Sequence, residues 1–320
     1  MMKALVRHGY GGPEVLSLEE VEEPFLEDDR ALVRVRASSL NKTDWHTLRG
    51  WPRFFRLLRR GGVLRPKEPL FGVDFAGVVE AVGKDVTGLQ PGDEVFGARD
   101  GAFAEYVSAK ALVRKPANVS FEEAAAVPIA GLTALQALRV HGRLRPGERV
   151  LINGASGGVG TLAVQIAKAL GGEVTAVCSA RNLEQARELG ADHVVDYARE
   201  DVTRGMERFD LILDVAGGHS WRELRRILMP RGRLVVAGAH GSRRQLGHIA
   251  AIWLASRRSD HEVRFFVAKL VNPDLEFLAE LLADGRLTPR IDRVHELADC
   301  ASAFRVFGEG HVRGKLVLTI

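Results

Sequence analysis

The stretch Ile152-Asn153-Gly154-Ala155-Ser156-Gly157-Gly158-Val159-Gly160 decides the fold of this chain. A short apolar run at residues 150–153 leads into it, and apolar residues recur at helical spacing over residues 159–170 behind it. A second apolar run, residues 174–178, completes an order of strand, turn, helix and strand. This order predicts a βαβ unit of about 30 residues with a glycine-rich turn after its first strand.

Three glycines of the turn have separate physical tasks. Gly154, Gly157 and Gly160 allow a tight turn, a close approach of the backbone to a pyrophosphate, and close packing of the helix on the strand. The free N–H groups at the helix start and the helix dipole both favour an anion there. We therefore predict a dinucleotide site in this turn. Its predicted contacts are Asn153, Gly154, Ala155, Ser156, Gly157, Gly158, Val159 and Gly160.

The alternation of strand and helix continues towards the carboxyl terminus. Strands are predicted at residues 194–196, 209–214 and 234–237, and helices at residues 183–189 and 221–228. Strands that alternate with helices form a parallel sheet with helices on both faces. Upstream, Ser120 and Glu123 have the spacing of a capping box. We therefore predict a Rossmann-type, doubly wound α/β domain that begins near Ser120.

The first 120 residues have a different texture, rich in short strands. These are predicted at residues 3–6, 31–37, 76–82 and 94–96, separated by turns of Gly, Pro and Asp. They favour a small irregular barrel. After Gly238 the pattern is less regular, and a final strand at residues 315–320 resembles the first segment. The predicted domains are therefore residues 1–120, residues 121–268, and a return to the first domain over residues 269–320.

Composition excludes several classes of protein. The 320 residues suit two domains, and 45 basic against 41 acidic residues give a net charge of +4. Two cysteines, Cys178 and Cys300, cannot build a disulfide framework or a four-thiolate zinc site, which favours a reduced, cytoplasmic setting. No run reaches the about 18 apolar residues of a membrane span, and the first eight residues contain no apolar region of the length that a secretion signal needs, so we expect neither feature. We expect neither a nucleic acid nor a membrane partner.

The sequence does not decide the role of one basic stretch. Arginines alternate with aromatic and leucine residues over residues 53–67. Such a pattern could contact phosphates or a membrane surface, or it could be a loop with a solvated basic face. Its arginines could also line the mouth of a pocket for anionic or large planar substrates.

The end of the second strand of the βαβ unit indicates which dinucleotide binds. An acidic residue there would accept hydrogen bonds from a ribose 2′-hydroxyl and repel a 2′-phosphate. The chain instead has Cys178-Ser179-Ala180-Arg181-Asn182, with no acid before Glu184. Ser179 can donate a hydrogen bond and Arg181 can pair with a phosphate. We predict NADPH as the cofactor; the alternative is that Arg181 is an ordinary surface arginine.

Motifs along the whole chain carry a family resemblance. The sequence resembles the zinc-independent quinone oxidoreductase and enone reductase branch of the medium-chain dehydrogenase/reductase superfamily. Beside the glycine turn, the resemblance rests on Ser39-Leu40-Asn41-Lys42-Thr43-Asp44, Gly72-Val73-Asp74-Phe75-Ala76-Gly77, Pro91-Gly92-Asp93-Glu94-Val95, Gly131-Leu132-Thr133-Ala134, Leu189-Gly190-Ala191-Asp192 and Gly314-Lys315. It implies a GroES-like, β-rich catalytic domain built from both termini, interrupted by the Rossmann domain, with the active site in the cleft.

The resemblance also bears on metal content. Zinc-dependent relatives use a cysteine, a histidine in a Gly-His-Glu phrase, and a further cysteine or acid as ligands. Here no cysteine lies near Asn41, and the corresponding phrase is Gly72-Val73-Asp74. The four closely spaced cysteines of a structural zinc lobe are also missing. Because an open zinc site needs three protein ligands, we predict that the chain binds no metal.

The resemblance assigns roles to residues near Asn41. Asn41 would lie beside the nicotinamide or the substrate carbonyl, Asp44 would organise the loop, and Thr133 would contact the nicotinamide side. His46 stands close to where many quinone reductases have a tyrosine. His46 could serve as a polar donor or a proton source, or it could be a loop histidine bonded to the backbone.

Further contacts follow from the same resemblance. Tyr197 would stack near the adenosine, or would be a rim aromatic residue. Gly238 ends a strand at the carboxyl edge of the sheet, where ligands bind in open α/β folds. Phe265 would line the nicotinamide pocket, unless it fills the core or a dimer interface. Tyr106 and Lys110 have the Tyr-x-x-x-Lys spacing of short-chain dehydrogenases but precede the glycine turn, so we assign them no catalytic role.

These observations predict an NADPH-dependent, metal-free oxidoreductase that transfers hydride to quinones or α,β-unsaturated carbonyls. Charge then develops on an oxygen that a hydrogen-bond donor can stabilise. Two alternatives remain: a reductase of simple aldehydes, and an NADPH-binding protein with little catalysis. Relatives often form homodimers through the last Rossmann strand, which would be residues 263–268. The substrate is otherwise an unspecified small molecule.

Overall fold

The structure is a computed structural model that describes residues 1–51, 62, 65–237, 243–257 and 259–320. The chain divides into two compact units. The first unit contains residues 1–130, 270–285 and 289–320, and the second contains residues 131–269 and 286–288. The division at residue 130 differs from the predicted boundary at residue 120, because the short helix Phe121–Ala125 packs on strands of the first unit.

The strands and helices are numbered in chain order. The strands are β1 (Met2–Arg7), β2 (Leu16–Val21), β3 (Ala31–Ser39), β4 (Asp74–Val82), β5 (Glu94–Ala98), β6 (Tyr106–Ala109), β7 (Leu112–Arg114), β8 (Arg149–Asn153), β9 (Glu173–Cys178), β10 (His193–Asp196), β11 (Phe209–Asp214), β12 (Leu228–Val236), β13 (Glu262–Phe265), β14 (Ile291–Glu296) and β15 (Lys315–Thr319). The helices are α1 (Lys42–Arg49), α2 (Phe121–Ala125), α3 (Pro128–Leu135), α4 (Gly158–Ala169), α5 (Leu183–Glu188), α6 (Trp221–Arg226), α7 (Arg243–Ser256), α8 (Asn272–Ala283) and α9 (Cys300–Gly308).

The first unit is the GroES-like, β-rich part of the chain. Its main sheet has the strand order β14-β15-β3-β4-β5-β7, with β6 also paired to β3, and β1 and β2 form a separate antiparallel pair. Strand β15 pairs with β3, so the carboxyl terminus completes a sheet that the amino-terminal part begins. The aromatic rings of Phe71, Phe103 and Phe304 pack together in its core.

The second unit is a Rossmann-type parallel sheet, which confirms the predicted fold class. Its strand order is β10-β9-β8-β11-β12-β13, and all five pairings are parallel. From β8 the chain builds outward through β9 and β10 on one side, and then through β11, β12 and β13 on the other. Strands β8 and β11 are therefore the neighbours between which the strand order reverses. Open α/β sheets bind their ligands in the crevice at the carboxyl ends of such a pair.

The boundaries of three elements can be compared with the sequence predictions. The capping box before α2 is formed: the Glu123 N–H donates to Ser120 Oγ at 3.1 Å, and the Ser120 N–H donates to the Glu123 carboxylate at 2.9 Å. Strand β12 begins at Leu228, earlier than predicted, and passes through Arg231 at a positive φ of 62°. Strand β13 ends at Phe265, earlier than predicted.

Some sequence predictions fall on parts of the chain without a description. The predicted cofactor residue Gly238 lies outside the described residues, and so does most of the basic stretch at residues 53–67. Cys178 and Cys300 are both buried as free thiols. Within the described ranges, no helix combines the length and the apolar character needed to cross a bilayer.

Candidate active site

The glycine turn joins the end of β8 to the start of α4. Gly154 has a φ of +92°, a conformation that residues with a side chain rarely adopt. A Cβ on Gly160 would lie 2.1 Å from the carbonyl oxygen of Gly154 and 2.7 Å from the Cα of Ala155, so this contact requires a glycine. The N–H groups of Gly154 and Ala155 donate to the carbonyl oxygen of Val177, which fixes the turn against β9.

The start of α4 can hold an anion. Gly157 precedes the first helical residue, and no side chain caps this end of the helix. Among the described residues, a Cβ built on Gly157 would have no atom closer than the Gly154 carbonyl oxygen at 3.9 Å, so this part of the structure leaves the space beside the turn open. Uncapped N–H groups and the positive end of the helix dipole suit a phosphate group. The turn therefore fits the pyrophosphate of a dinucleotide.

The predicted adenosine contacts lie at the carboxyl ends of β9 and β10. Ser179 follows β9, and its Oγ accepts a hydrogen bond from Asn182 Nδ2 at 3.0 Å. Arg181 lies in the next turn with its side chain exposed. Tyr197 follows β10 and is 63% exposed, and its N–H donates to the carbonyl of Cys178 at 3.2 Å. The structure thus brings these predicted residues to one edge of the sheet.

One carboxylate also lies near that edge. Asp196 ends β10 in register with Cys178, the last residue of β9. Its side chain is buried and accepts a hydrogen bond from the N–H of Ala198 at 3.1 Å. It also lies 3.7 Å from the guanidinium of Arg199. The Asp196 carboxylate is therefore engaged within its own loop.

Two further predicted residues occupy other parts of the second unit. Thr133 lies on α3 with its side chain partly exposed. Phe265 is the last residue of β13 and packs against the apolar core of the unit. Sequence reasoning missed Gln136, whose side chain forms two hydrogen bonds of 2.9 Å with the main chain of Lys269. Gln136 thus fixes the segment that follows Phe265, and no sequence pattern indicated this contact.

In the first unit, the predicted residue Asn41 belongs to a buried polar cluster. Asn41 immediately precedes α1, and its Oδ1 accepts a hydrogen bond from Lys315 Nζ at 2.6 Å. Asn41 Nδ2 donates to Asp74 Oδ2 at 2.7 Å, and Lys315 Nζ lies 3.3 Å from the same oxygen. The second amide hydrogen has a long contact of 3.4 Å to the carbonyl of Ser39. Asn41, Asp74 and Lys315 form the polar cluster of the first unit.

Several hydrogen-bond donors surround the buried carboxylate of Asp74. Besides Asn41 and Lys315, the Ser39 Oγ and the N–H of Ile129 each donate to its carboxylate at 2.9 Å. A buried charge is tolerated when it is paired and fully hydrogen-bonded. The sequence motifs contained Asp74 and Lys315, but 241 residues separate them and no spacing rule connects them.

The contacts of Gly314 explain why a glycine directly precedes Lys315. Gly314 has a φ of +90°, and a Cβ there would lie 2.1 Å from the carbonyl oxygen of Arg290. The N–H of Lys315 donates to the same carbonyl at 2.8 Å. The close approach of the two chain segments at Gly314 thus fixes the backbone from which the lysine side chain enters the core.

Asp44 borders the cluster as an uncharged acid. Its Oδ2 accepts a hydrogen bond from the N–H of Asn41 at 2.7 Å. Burial, and then the nearby Asp74 carboxylate, raise the pKa of Asp44 to about 8. Burial also lowers the pKa of Lys315, although Asp74 and Asp44 oppose that shift. The Asp44 carboxyl therefore holds its proton at neutral pH.

His46 lies apart from the buried cluster. It is two residues after Asp44 on α1, which places the two side chains roughly 200° apart around the helix. Its ring is 5.8 Å from the ring of Trp51, and its carbonyl accepts a hydrogen bond from the N–H of that residue. The structure brings Asn41 and Asp44 together but not His46 with either of them.

The groups of the polar cluster do not fit a zinc ion. Zinc in proteins is held by thiolate, imidazole and carboxylate groups. Here an amide, a carboxylate and a lysine ammonium are in mutual contact, so a positive charge already faces Asn41 Oδ1 and Asp74 Oδ2. No group of three or more potential metal ligands among His, Cys, Asp and Glu occurs in the part of the chain that the structure describes.

Comparisons with known proteins agree with this architecture. A family model described as an alcohol dehydrogenase GroES-like domain matches residues 27–117, and a model described as a zinc-binding dehydrogenase matches residues 189–318. A chloroplastic quinone-oxidoreductase homolog of Spinacia oleracea is 32% identical, over 99% of this chain and 98% of that protein. The mitochondrial NAD(P)H oxidoreductase RTN4IP1 of Mus musculus is 33% identical, over 100% of this chain and 89% of that protein.

Solved structures give the same result. The quinone oxidoreductase of Coxiella burnetii superposes with a TM-score of 0.86 at 31% identity, over 100% of this chain and 99% of that one. A GroES-like unit together with a Rossmann-type unit defines a class of dehydrogenases and reductases. The chain belongs to the medium-chain dehydrogenase/reductase superfamily, in its quinone oxidoreductase-like branch. It is an oxidoreductase with a site for a nicotinamide dinucleotide.

Proposed function

We propose that this protein is an NADPH-dependent, metal-free reductase of quinones or α,β-unsaturated carbonyls. The observation that carries the proposal is the uncapped, open glycine turn at Gly157, beside strand ends that present Ser179 and Arg181. Family membership supplies the reaction class, and the relatives named as quinone oxidoreductases support the substrate class.

The preference for NADPH rests on charge at the end of β9. A ribose 2′-phosphate would find the hydroxyl of Ser179 and the guanidinium of Arg181 there, and no acidic side chain directly after the strand. The carboxylate of Asp196, which ends the neighbouring strand β10, is buried and engaged by Ala198 and Arg199. An NAD-specific site would instead place an acid where it accepts bonds from the 2′-hydroxyl.

The dinucleotide, when bound, supplies a hydride. The residues of this chain bind and orient the dinucleotide and the substrate, and they polarise the substrate oxygen. The N–H groups at the start of α4 hold the pyrophosphate. In the first unit, Asn41 is the proposed donor to the substrate oxygen, because its second amide hydrogen has only a long contact with Ser39. The ammonium of Lys315 on Asn41 Oδ1 draws electron density from the amide and strengthens this donor. His46 stays a predicted second donor.

Metal independence is part of the proposal. A quinone or an enone accepts hydride while charge develops on an oxygen, and hydrogen bonds can stabilise that charge. A simple aldehyde needs stronger activation, for which zinc-dependent enzymes use a metal. The polar cluster of Asn41, Asp74 and Lys315 supports the reduction of quinones or enones, because its groups do not fit a zinc ion.

A substrate panel tests the function. NADPH oxidation is measured with quinones, enones and aldehydes, before and after treatment with a zinc chelator. We expect turnover of quinones or enones that the chelator leaves unchanged. Turnover of aldehydes alone would favour the carbonyl reductase. Tight NADPH binding without turnover of any substrate would favour a binding protein.

We also propose that two copies of the chain pair through β13. This strand ends the six-stranded sheet, so one of its edges has no partner strand among the described residues. Val267, which follows β13, is 88% exposed, and Trp253 and Leu254 of α7 are also exposed. Unpaired strand edges and exposed apolar side chains favour association. The cytoplasmic location stays a prediction.

A further inference from the structure

Two polar residues meet at the point where the strand order of the second unit reverses. Asn153 is the last residue of β8 and lies in register with Asp214, the last residue of β11. Asn153 Nδ2 donates to Asp214 Oδ1 at 2.8 Å and to the carbonyl of Gly217 at 3.1 Å. Asp214 Oδ1 also accepts the N–H of Gly217 at 2.8 Å. The pair thus forms one compact unit at the carboxyl edge of the sheet.

These contacts fix the orientation of the Asn153 amide. Both of its partners, a carboxylate and a carbonyl, only accept hydrogen bonds, so the NH₂ group must face them. Asn153 Oδ1 then points away, and no described residue donates to it. This oxygen is not fully buried and keeps some surface that a ligand can reach. The pair therefore presents a single acceptor at the crevice.

The stability of the fold alone does not explain Asp214. The residue is only 1% exposed, and its Oδ2 is buried without a hydrogen-bond partner among the described residues. A buried carboxylate oxygen without a partner is unfavourable. The same residue nevertheless controls which way the Asn153 amide points, and such costs are found where a functional group must be held in place.

The position of the acceptor indicates which part of a dinucleotide it meets. The pyrophosphate fits the turn after β8, and the adenosine half extends towards the end of β9, where Ser179 and Arg181 lie. The nicotinamide half must then extend to the other side of the turn, towards β11. The first donors on that half beyond the pyrophosphate are the hydroxyl groups of its ribose.

We propose that Asn153 Oδ1 accepts a hydrogen bond from a hydroxyl group of the nicotinamide ribose, and that Asp214 is the positioning residue that fixes this amide. The inference rests on the proposed dinucleotide function and adds the way in which the nicotinamide half is held. Asp214 does not touch the cofactor; it acts through Asn153.

The substitution Asp214→Leu tests the positioning role. Its side chain offers no acceptor, so nothing holds the NH₂ group of Asn153 in place and the Asn153 amide can turn over and present a donor to the crevice. Loss of one hydrogen bond corresponds to about a five- to tenfold weaker affinity. Calorimetry should show this loss for NADPH and for NADH, but not for 2′,5′-ADP or 5′-AMP, which lack the nicotinamide ribose. The conservative variant Asp214→Asn can keep its Oδ1 as the acceptor for the N–H of Gly217 and for the NH₂ group of Asn153, and should bind NADPH like the wild type.

Two further variants keep the test decisive. Asn153→Leu removes the acceptor and should show the same selective loss if Asp214→Leu folds poorly. Asp210→Asn changes another aspartate of β11, whose carboxylate accepts the N–H of Arg149, and should leave the affinity for NADPH unchanged. Thermal unfolding of each variant separates lost folding from lost binding.

The outcomes separate the two proposals. Equal NADPH affinity for the wild type, folded Asp214→Leu and folded Asn153→Leu overturns this inference and leaves the proposed function intact. Equal losses for NADPH and for the adenosine fragments also overturn it, because the effect would then be a general disturbance of the sheet edge. A wild type that binds no dinucleotide at all overturns both.

Discussion

The ammonium of Lys315 holds together the polar cluster of the first unit. It neutralises Asp74 and fixes the carbonyl end of the Asn41 amide. Without it, the Asp74 carboxylate would stay buried with its remaining donors but no counter-charge. Breaking a buried pair in this way costs far more than the pair contributes when intact, because the remaining charge is uncompensated.

Replacing this lysine should therefore destabilise the protein strongly. We expect Lys315→Met to lower the free energy of unfolding by ~3–5 kcal/mol, measured by urea denaturation. The double variant Lys315→Met/Asp74→Asn should recover part of that loss, because no unpaired charge remains. Lys110→Met is the control: Lys110 pairs with Asp29 on the surface, and its loss should have little effect. A single Lys315→Met variant as stable as the control would contradict this account of the cluster.

The preference for NADPH over NADH also depends on single residues. Arg181→Glu places an acid where a 2′-phosphate would lie and where a 2′-hydroxyl could donate. We expect NADPH affinity to fall by at least tenfold, or about 1.4 kcal/mol, and NADH affinity to rise, both measured by fluorescence titration. Arg199→Glu serves as the control, because Arg199 already pairs with Asp196. An unchanged preference for NADPH in the Arg181→Glu variant would refute the assignment.

At the level of elements, the turn between β8 and α4 separates two uses of glycine. Gly160 permits a backbone contact of the fold, since a Cβ there would lie 2.1 Å from a carbonyl oxygen. Gly157 leaves space for a ligand, since a Cβ there would meet no atom of the described residues nearer than 3.9 Å. Sequence spacing predicts both glycines, but only the structure shows which one the fold requires.

Matched alanine substitutions test this difference. Gly160→Ala should lower the melting temperature markedly, because the backbone of the turn must move to admit the methyl group. Gly157→Ala should leave the melting temperature of the free protein nearly unchanged and should weaken dinucleotide binding, because the methyl group lies where a phosphate would approach. Both quantities can be measured by thermal shift with and without NADPH. If Gly157→Ala lowered the melting temperature and Gly160→Ala weakened only dinucleotide binding, the roles assigned to the two glycines would be wrong.

The elements differ in how far the sequence predicts them. Strands β8, β9 and β11 begin and end within one residue of their predicted limits, because buried parallel strands are continuous apolar runs bounded by turn residues. Strand β12 extends back to Leu228 through Pro230, Arg231 and Gly232, which look like a turn. Helix α2 has the expected capping box, but its apolar face packs in the first unit, and no local pattern predicts which unit a helix joins.

For the whole molecule, the alternation of strands and helices predicts the parallel sheet and its ligand-binding edge. The turn residues from Asn153 to Gly160 and the residues after β9 follow from that topology. The contacts of Lys315 with Asn41 and Asp74 could not be predicted, because they depend on the carboxyl-terminal strand β15 pairing with β3. Gly314 and Lys315 were recognisable as a motif, but their partners were not.

The buried acid Asp44 makes the stability of the whole protein depend on pH. Its pKa is about 8 in the folded protein and 3.8 as its ordinary value, so between these values the folded state holds a proton that the unfolded chain has released. Stability from this group therefore falls as pH rises from about 4 to about 8. Asp44→Asn should reduce that fall when free energies of unfolding are measured at pH 5, 6, 7 and 8. The exposed Asp85, changed to Asn, should retain the slope of the wild type.

Pairing of two copies through β13 is tested at the scale of the whole molecule. Sedimentation should give twice the 35.0 kDa mass of one chain, because two unpaired strand edges would satisfy each other's N–H and carbonyl groups. Val267→Glu and Leu254→Glu place charges among the exposed apolar residues at β13 and α7, and should shift the protein to the mass of one chain. Met206→Glu changes an equally exposed residue that precedes β11, and should leave the dimer intact. If Met206→Glu dissociates the dimer and the other two do not, the contact lies elsewhere on the second unit.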